Sequence, residues 1–316
     1  MAQGYVLAIH GGCENIAPER FTPDEERERL EALLGSLASG RSVLDGAGSA
    51  LDAVEAAVKV LEDSPHFNAG RGSVFTFEGR NEMDAGIMSG ETLQAGAVAS
   101  TSSIKNPVAA ARLVMEKTEH VLLVSAGAER FAEEQGLARM SPSYFYTPKR
   151  WEEYLQAHRG TGQFEPPQQG GFGTVGAVCL DGKGSLAAAS STGGTSNKLC
   201  GRLGDSPIIG AGVYANNGTC AVSCTGHGEP FMRQVAAHRI SLLMELKGFD
   251  LEQAAAEALQ QVRSLGGEGG LIAVDRKGRA ALPFNTQGMF RGLALEGQPP
   301  RVALHGPPGS WAAHGT

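Results

Sequence analysis

Short glycine-containing turns between neighbouring apolar runs constrain this fold more than any other sequence feature. Asp-Gly-Lys-Gly separates the runs at 174–180 and 185–189, and Asp-Arg-Lys-Gly separates those at 271–274 and 279–282. Turns this short connect antiparallel strands, because parallel strands need a crossover of a dozen or more residues. Segments with helical periodicity accompany the strands in both halves of the chain. We therefore predict an α+β fold in which two largely antiparallel sheets pack face to face, with helices outside.

The composition excludes several classes of protein. The chain has 316 residues and a net charge of -7, and it has no stripe of Lys and Arg, so nucleic-acid binding is not expected. No apolar run approaches the ~20 residues of a membrane-spanning helix. The five cysteines form no CxxC pair, which argues against a disulfide scaffold or a zinc knuckle. The N-terminus resembles a first strand rather than a signal peptide, and we expect a cytoplasmic location.

The chain divides into two halves at a segment of different composition. In the first half we predict helices at 22–38, 49–61, 107–117 and 126–135, with strands at 5–10, 73–76, 82–88, 93–99 and 120–125. In the second half we predict further strands at 208–214 and 220–224 and helices at 229–247 and 251–264. Residues 137–173 are rich in Pro, Gln and Gly. Apart from a helix near 150–158, we expect this segment to be a mobile connection.

A threonine begins the first strand after this connection. Thr174 follows Gly173 directly, and an apolar run continues from it. A threonine hydroxyl is a weak nucleophile that needs a nearby base. Cleavage of the Gly173–Thr174 bond would place an α-amine on the same residue, with an unperturbed pKa of about 7.7–8.0. One residue would then supply both nucleophile and base, although a threonine at the start of a strand is also common in purely structural roles.

Two further motifs follow Thr174 in the second half. Ser-Thr-Gly-Gly at 191–194 closes the hairpin that Thr174 begins, so Thr192 should return toward Thr174 and could orient its hydroxyl. The alternative is an ordinary polar turn. Arg202 and Asp205 lie three residues apart in a Gly/Pro loop. They form either a surface ion pair or a clamp that holds an amino acid by its carboxylate and its ammonium group.

A third motif, Cys-Thr-Gly-His-Gly-Glu at 224–229, joins a strand to a helix. Backbone N–H groups at such a junction can stabilise developing negative charge, so Thr225 and Gly226 are candidates for an oxyanion hole. A phosphate site is the competing interpretation, but the chain has neither GxGxxG nor GxxxxGK[ST] at this point. We give His227 no catalytic role, because a lone histidine beside a helix start is more often structural.

Taken together, these motifs resemble a known family. Thr-Val-Gly-Ala-Val from Thr174, Ser-Thr-Gly-Gly from 191, Gly-Arg-Leu-Gly-Asp-Ser-Pro from 201 and Thr-Gly-His-Gly-Glu from 225 are similar, in order and spacing, to the plant-type L-asparaginase/isoaspartyl peptidase family of N-terminal-nucleophile hydrolases. His-Gly-Gly from His10, Leu-Glu-Asp-Ser-Pro-His-Phe-Asn-Ala-Gly from Leu61 and Glu-Met-Asp-Ala from Glu82 extend the resemblance through the first half. It covers nearly the whole chain.

The resemblance implies a four-layer αββα sandwich formed by one domain, residues 1–316. This domain would cleave itself into an α subunit, 1–173, and a β subunit, 174–316, that stay together as a dimer of such heterodimers. Thr174 would be the nucleophile and Thr192 its hydroxyl partner, with Thr225 and Gly226 in the oxyanion hole. The substrate would contact Arg202, Asp205, Thr225, Gly226 and Gly228.

The resemblance also implies a structural sodium ion and no catalytic cofactor. The ion would be bound by backbone carbonyls in the loop after the second helix, which correspond to those of Leu61, Glu62, Ser64, Phe67, Ala69 and Arg71. Asn68 is the side chain of that loop that would support cleavage.

The implied reaction is hydrolysis of the β-amide of L-asparagine or of a β-aspartyl dipeptide through an acyl-enzyme on Thr174. Two alternatives stay open: a glycosylasparaginase-like hydrolase of sugar-linked asparagine, and a non-catalytic relative that binds amino acids.

Overall fold

The computed structural model describes residues 4–14, 21–158 and 173–312, and these form two sheets between layers of helices. The twelve strands are β1 (Val6–Glu14), β2 (Met83–Ser89), β3 (Ala95–Thr101), β4 (Leu122–Val124), β5 (Thr174–Leu180), β6 (Leu186–Thr192), β7 (Val213–Ala215), β8 (Cys220–Gly226), β9 (Gly269–Asp275), β10 (Ala280–Ala281), β11 (Gly288–Leu295) and β12 (Arg301–Ala303). The helices are α1 (Pro23–Asp45), α2 (Ala50–Asp63), α3 (Pro107–Lys117), α4 (Ser125–Glu134), α5 (Pro142–Phe145), α6 (Pro148–Ala157), α7 (Gly228–Gln234), α8 (Ala236–Lys247) and α9 (Leu251–Ser264). The predicted α+β sandwich is confirmed.

The larger sheet has eight strands in the order β12-β11-β1-β5-β6-β2-β3-β4, and the smaller has four in the order β10-β9-β8-β7. Strand pairs are antiparallel except β3 and β4, which run parallel. The inner faces of the two sheets meet in a core of small and branched side chains, for example Ala8, Val178, Val213 and Ile272. Small residues at these positions let the sheets approach closely, which accounts for the low aromatic content.

Helices cover the outer faces of both sheets. α1 and α2 pack their apolar stripes, including Leu33, Leu37 and Val54, against the large sheet. α8 and α9 cover the small sheet with residues such as Ile240 and Leu259. α1 and α2 begin next to the predicted starts at 22 and 49, and each begins with a capping box, with Thr22 and Ser49 as the N-caps. Throughout the ranges described, no helix has both the length and the apolar character needed to cross a membrane.

Several predicted elements differ in the structure. The helix predicted over 229–247 is two helices, because Val235 between α7 and α8 is left-handed with φ of 49°. The strand predicted at 73–76 is reduced to isolated bridges, and the one predicted at 208–214 begins only at Val213. The pattern also missed β11 and β12.

In the segment 137–173, the helix predicted near 150–158 is found as α6, while the unpredicted α5 lies in the part expected to be a mobile connection. Residues 159–172 lie outside those the structure describes.

Candidate active site

The β5–β6 hairpin places two threonines opposite one another. Thr174 pairs with Thr192 at the open end of the ladder, and Leu180 pairs with Leu186 next to the turn. Both threonines are buried. The predicted return of Thr192 to Thr174 is therefore found in the register of the strands.

Three polar atoms of Thr174 are contacted by three separate parts of the chain. Its backbone N–H donates to Thr225 Oγ1 at 3.4 Å, its carbonyl oxygen accepts from His10 Nδ1 at 2.8 Å, and its Oγ1 lies 3.3 Å from Ser206 Oγ. Ser206 is itself buried. Sequence reasoning did not single it out, although it belongs to the quoted Gly-Asp-Ser-Pro motif.

Thr192 faces the peptide bond before Thr174 rather than the Thr174 hydroxyl. Its Oγ1 donates to the carbonyl oxygen of Gly173 at 3.5 Å and accepts from the backbone N–H of Gly194 at 2.9 Å. The Thr174 hydroxyl is thus hydrogen-bonded to that of Ser206, while the Thr192 hydroxyl bonds the adjoining Gly173 carbonyl.

Asn68 lies against the same peptide bond from the loop after α2. Its Nδ2 donates to Gly194 O at 2.6 Å, and its Oδ1 accepts from Val74 N–H at 3.0 Å. A β-carbon added to Gly173 would lie 2.8 Å from Asn68 Cβ, closer than such atoms can approach. A glycine at 173 is thus required by the close approach of Asn68.

Arg202 and Asp205 both line the pocket at Thr174, but they do not form the surface ion pair that was the alternative interpretation. Arg202 donates from Nε and Nη2 to the two carboxylate oxygens of Glu229, at 2.9 and 2.8 Å. Glu229 was not identified as a site residue, because only the fold brings it to Arg202. His227 is half exposed, and its Nε2 lies 3.5 Å from the same carboxylate.

Asp205 is buried, and its Oδ2 has no hydrogen-bond partner among the described residues. Burial raises the pKa of Asp205 to about 7, while Arg202 lowers it and Glu229 raises it. A buried carboxylate oxygen without a donor costs free energy, which binding of a cation or ammonium group would recover. The site therefore contains an unsatisfied acceptor beside a guanidinium group.

The end of β8 and the start of α7 complete the pocket. Thr225 is buried, and Gly226 has φ of 143°, a conformation that favours glycine. A β-carbon on Gly228 would lie 3.0 Å from Asp205 Oδ1, so this glycine too allows close approach. The pocket lining includes Gly173, Thr174, Thr192, Arg202, Asp205, Ser206, Gly226 and Gly228.

The comparison with known proteins agrees with this constellation. A family model described as asparaginase matches residues 3–304. This chain belongs to the asparaginase family. It is 49% identical over 308 residues to the isoaspartyl peptidase of Salmonella typhimurium, covering 95% of this chain and 98% of that protein. It is 47% identical over 310 residues to the Escherichia coli isoaspartyl peptidase, with 95% and 96% covered, and 46% identical over 277 residues to mouse isoaspartyl peptidase/L-asparaginase, with 86% and 82% covered.

The asparaginase-family pocket is not the largest cavity of the molecule. A cavity of about 860 Å³ lies between α5, α6 and the β2–β3 region, with Phe75, Tyr146 and Trp151 in its wall. The pocket at Thr174 nevertheless brings together opposite charges, buried hydroxyls and a buried carboxylate oxygen that has no hydrogen-bond partner among the described residues. We therefore assign the candidate active site by its polar groups and not by its volume.

In the loop predicted to hold sodium, two backbone carbonyl oxygens lie close to two glycines. A β-carbon on Gly70 would lie 2.3 Å from Glu62 O, and one on Gly72 would lie 2.0 Å from Phe67 O. The Leu61 and Ala69 carbonyls also accept turn hydrogen bonds, from the N–H groups of Ser64 and Gly72. Within 4–14, 21–158 and 173–312, no three His, Cys, Asp or Glu side chains form a metal cluster. Backbone carbonyl oxygens of this kind are ligands that a hard cation takes.

Proposed function

We propose that this chain cleaves itself at Gly173–Thr174 and then hydrolyses the β-amide of L-asparagine and of β-aspartyl dipeptides through an acyl-enzyme on Thr174. The observation that carries the proposal is the position of Thr174, which follows Gly173 and shares one pocket with Arg202 and Asp205. The names of the relatives, isoaspartyl peptidase and L-asparaginase, fit a substrate with one carboxylate and one ammonium group.

Self-cleavage begins with attack by Thr174 Oγ on the carbonyl carbon of Gly173. The C–N bond then breaks, an ester forms on Oγ, and water hydrolyses it to give a Gly173 carboxylate and a free Thr174 amine. The nitrogen is an amide before the cut and cannot act as a base, so neighbouring hydroxyls or a water must take the proton. We propose that this help comes from the hydroxyls of Ser206, 3.3 Å from the Thr174 hydroxyl, and Thr192, 3.5 Å from the Gly173 carbonyl oxygen.

Substrate hydrolysis uses the new amine as the base. Thr174 Oγ attacks the β-carbonyl while the amine accepts the hydroxyl proton, and the protonated amine gives that proton to the leaving ammonia or amine. Water then attacks the acyl-enzyme with the amine again accepting a proton, which releases aspartate. We propose that Thr225 Oγ and Gly226 N–H stabilise the oxyanion in both steps.

Arg202 and Asp205 would hold the two charged groups of the substrate. The α-ammonium would satisfy the Asp205 carboxylate oxygen, and the α-carboxylate would pair with Arg202. Gly228 leaves room beside Asp205 for that ammonium group. The pocket would thus select an amino acid, because its two side chains of opposite charge would each pair with the oppositely charged group of the substrate.

The proposed subunits, 1–173 and 174–316, would remain associated because their strands interleave. β1 of the first piece lies between β11 and β5 of the second, and β2 lies beside β6. Separating the two pieces would break the hydrogen bonds between these strands and expose the apolar side chains that the pieces bury together. We further propose a dimer of such pairs, since the edge strand β4 exposes Val124 and the adjacent Val121.

We propose that a sodium ion in the loop at Leu61, Glu62, Ser64, Phe67, Ala69 and Arg71 stiffens it through backbone oxygens. The loop contains Asn68, which contacts the turn beside Gly173, so the ion would act on the site indirectly. We also propose a cytoplasmic location, because all five cysteines are free thiols and free thiols persist in a reducing compartment.

An intact-mass spectrum of the purified protein tests the first step. We expect pieces of 173 and 316 − 173 = 143 residues, the smaller beginning Thr-Val-Gly-Ala. Hydrolysis should then be measured with L-asparagine, a β-aspartyl dipeptide and sugar-linked asparagine.

An active preparation that stays one chain would contradict the mechanism. A single chain that binds aspartate without hydrolysis would indicate a non-catalytic relative, and preference for the sugar-linked substrate would indicate a glycosylasparaginase. As a control, a Thr174→Ala chain should remain intact and inactive.

A further inference from the structure

The carbonyl oxygen of Thr174 accepts a hydrogen bond from a side chain of β1. The β1–β5 ladder runs from Val6 opposite Leu180 to His10 opposite Gly176 and stops there. Immediately after His10 the register of β1 shifts against β11, and Gly12 has φ of 111°. This bulge ends the ladder before it reaches Thr174, and the His10 imidazole supplies the donor at 2.8 Å.

The other ring nitrogen of His10 contacts Ser223, which in turn contacts Ser190. His10 Nε2 lies 2.8 Å from Ser223 Oγ, which lies 2.7 Å from Ser190 Oγ. A carbonyl oxygen can only accept, so Nδ1 must carry the proton. Burial lowers the pKa of His10 to about 3, so the ring is neutral and Nε2 accepts from Ser223. Ser223 then has no proton left for Ser190, whose hydroxyl can donate to Ser223 Oγ at 2.7 Å or to the Gly212 carbonyl oxygen at 3.3 Å.

The residue opposite His10 leaves the space that these hydrogen bonds need. A β-carbon on Gly176 would lie 2.0 Å from Ser223 Oγ and 2.5 Å from His10 Nε2. Any larger residue would displace one of the two groups. The glycine of Thr-Val-Gly, two residues after Thr174, is therefore part of the same arrangement.

We propose that His10, oriented by Ser223 and Ser190, is a positioning residue that fixes the Thr174 carbonyl and thereby the position of the Cα that carries its amine and hydroxyl. This inference rests on the proposed role of Thr174. Self-cleavage removes the peptide link to Gly173, so the end residue loses one of its two backbone attachments. The His10 contact then fixes the plane of the peptide between Thr174 and Val175 and, with it, the position of the Thr174 Cα, so the amine and the hydroxyl can turn only about the Cα–C bond.

Two variants of His10 separate this role from general support of the fold. In His10→Asn, an amide nitrogen occupies the place of Nδ1 and can still donate to Thr174 O. In His10→Gln, the longer side chain places the amide nitrogen where Nε2 lies, so that it faces Ser223 and not the Thr174 carbonyl. We expect His10→Asn to keep kcat close to the parent value, and His10→Gln to lower kcat roughly 10- to 100-fold with unchanged KM. Equal kcat values for both variants, or a change in KM alone, would overturn the proposal.

A spectroscopic measurement keeps the test independent of both catalysis and the variants' folding. The imidazole ¹⁵N shifts of His10 in the parent protein should show a neutral ring with the proton on Nδ1, even below the ordinary histidine pKa of 6.5. A charged ring there, or a proton on Nε2, would contradict the inference. The protein could show the expected tautomer and yet hydrolyse none of the substrates. The proposed function would then have failed, while the hydrogen-bonded arrangement around His10 would be supported. In that case, the two variants should be compared by their rate of self-cleavage instead of by kcat.

Discussion

The guanidinium of Arg202 is held on one edge by Glu229, through Nε and Nη2 at 2.9 and 2.8 Å. Both N–H groups of Nη1, which faces Gly204, and the second N–H of Nη2 are directed away from that carboxylate. Glu229 therefore orients Arg202 before any ligand binds. The side chain of Arg202 is only 17% exposed, so its charge is poorly hydrated and sensitive to the loss of either neighbour.

We expect Arg202→Ala to raise KM for L-asparagine by roughly 30-fold or more, equivalent to about 2 kcal/mol, because the carboxylate would be left without a charged donor. Arg202→Lys should rescue poorly, since an ammonium group lacks the planar fork needed to hold Glu229 and a ligand together. Steady-state kinetics on the cleaved protein measure both effects. Arg233→Ala, an exposed change on α7, is the matched control, and an unchanged KM in Arg202→Ala would show that the clamp is misassigned.

Gly173→Ala should slow self-cleavage strongly. The new methyl group would lie 2.8 Å from Asn68 Cβ, so either the scissile peptide or the Asn68 loop must move. The fraction of intact chain, followed over time by gel or mass spectrometry, reports the rate. Gly182→Ala in the β5–β6 turn is the control, because a β-carbon there meets nothing within 4 Å. Equal rates for the two variants would mean that this close contact has no part in cleavage.

Thr225→Val should lower kcat more than it changes KM. The substitution keeps the shape of the side chain but removes the hydroxyl that lies 3.4 Å from Thr174 N. Loss of one oxyanion-hole donor typically costs about 2.7–4 kcal/mol in the transition state. Kinetics with a β-aspartyl dipeptide separate the two constants. Thr219→Val, just before the other end of β8, removes a hydrogen bond to Ser241 and should affect stability alone. A normal kcat with a changed KM would place Thr225 in substrate binding.

Asp205 should make activity and stability respond oppositely to pH. Burial raises its pKa in the folded protein from 3.8 to about 7, so the folded state holds the proton more tightly than the unfolded state. The contribution of this group to stability is therefore full below pH 3.8 and is lost as the pH rises through about 7. Binding an ammonium group, in contrast, needs the ionised carboxylate. We expect kcat/KM to fall as the pH drops below about 7.

Asp205→Asn tests that assignment by thermal denaturation. The variant removes the cost of burying a charge, so its Tm should exceed that of the parent by more at pH 8 than at pH 5, while kcat/KM falls at both. A Tm difference that does not change with pH would contradict the raised pKa. Asp250→Asn, at the exposed cap of α9, serves as the control carboxylate.

The sequence by itself determined the features that depend on neighbouring residues. The helices predicted from 22 and 49 correspond to α1 and α2, because helical periodicity depends on residues only a few positions apart. The four-residue turn predicted the β5–β6 hairpin, and its register set Thr174 opposite Thr192. Motif order along the chain gave the family, which the comparisons confirmed.

Only the tertiary structure decided which side chains meet at Thr174 and Arg202. Ser206 reaches the Thr174 hydroxyl across 32 residues, Glu229 reaches Arg202 across 27, and His10 reaches the Thr174 carbonyl across 164. No local pattern encodes such contacts, because each depends on how two sheets and their connecting loops pack. The break at Val235 has the same origin: the helical pattern continues through it, and its left-handed backbone interrupts the helix in the folded chain. The local sequence therefore determined the candidate nucleophile and the strand on which it lies, and tertiary packing determined which groups contact it.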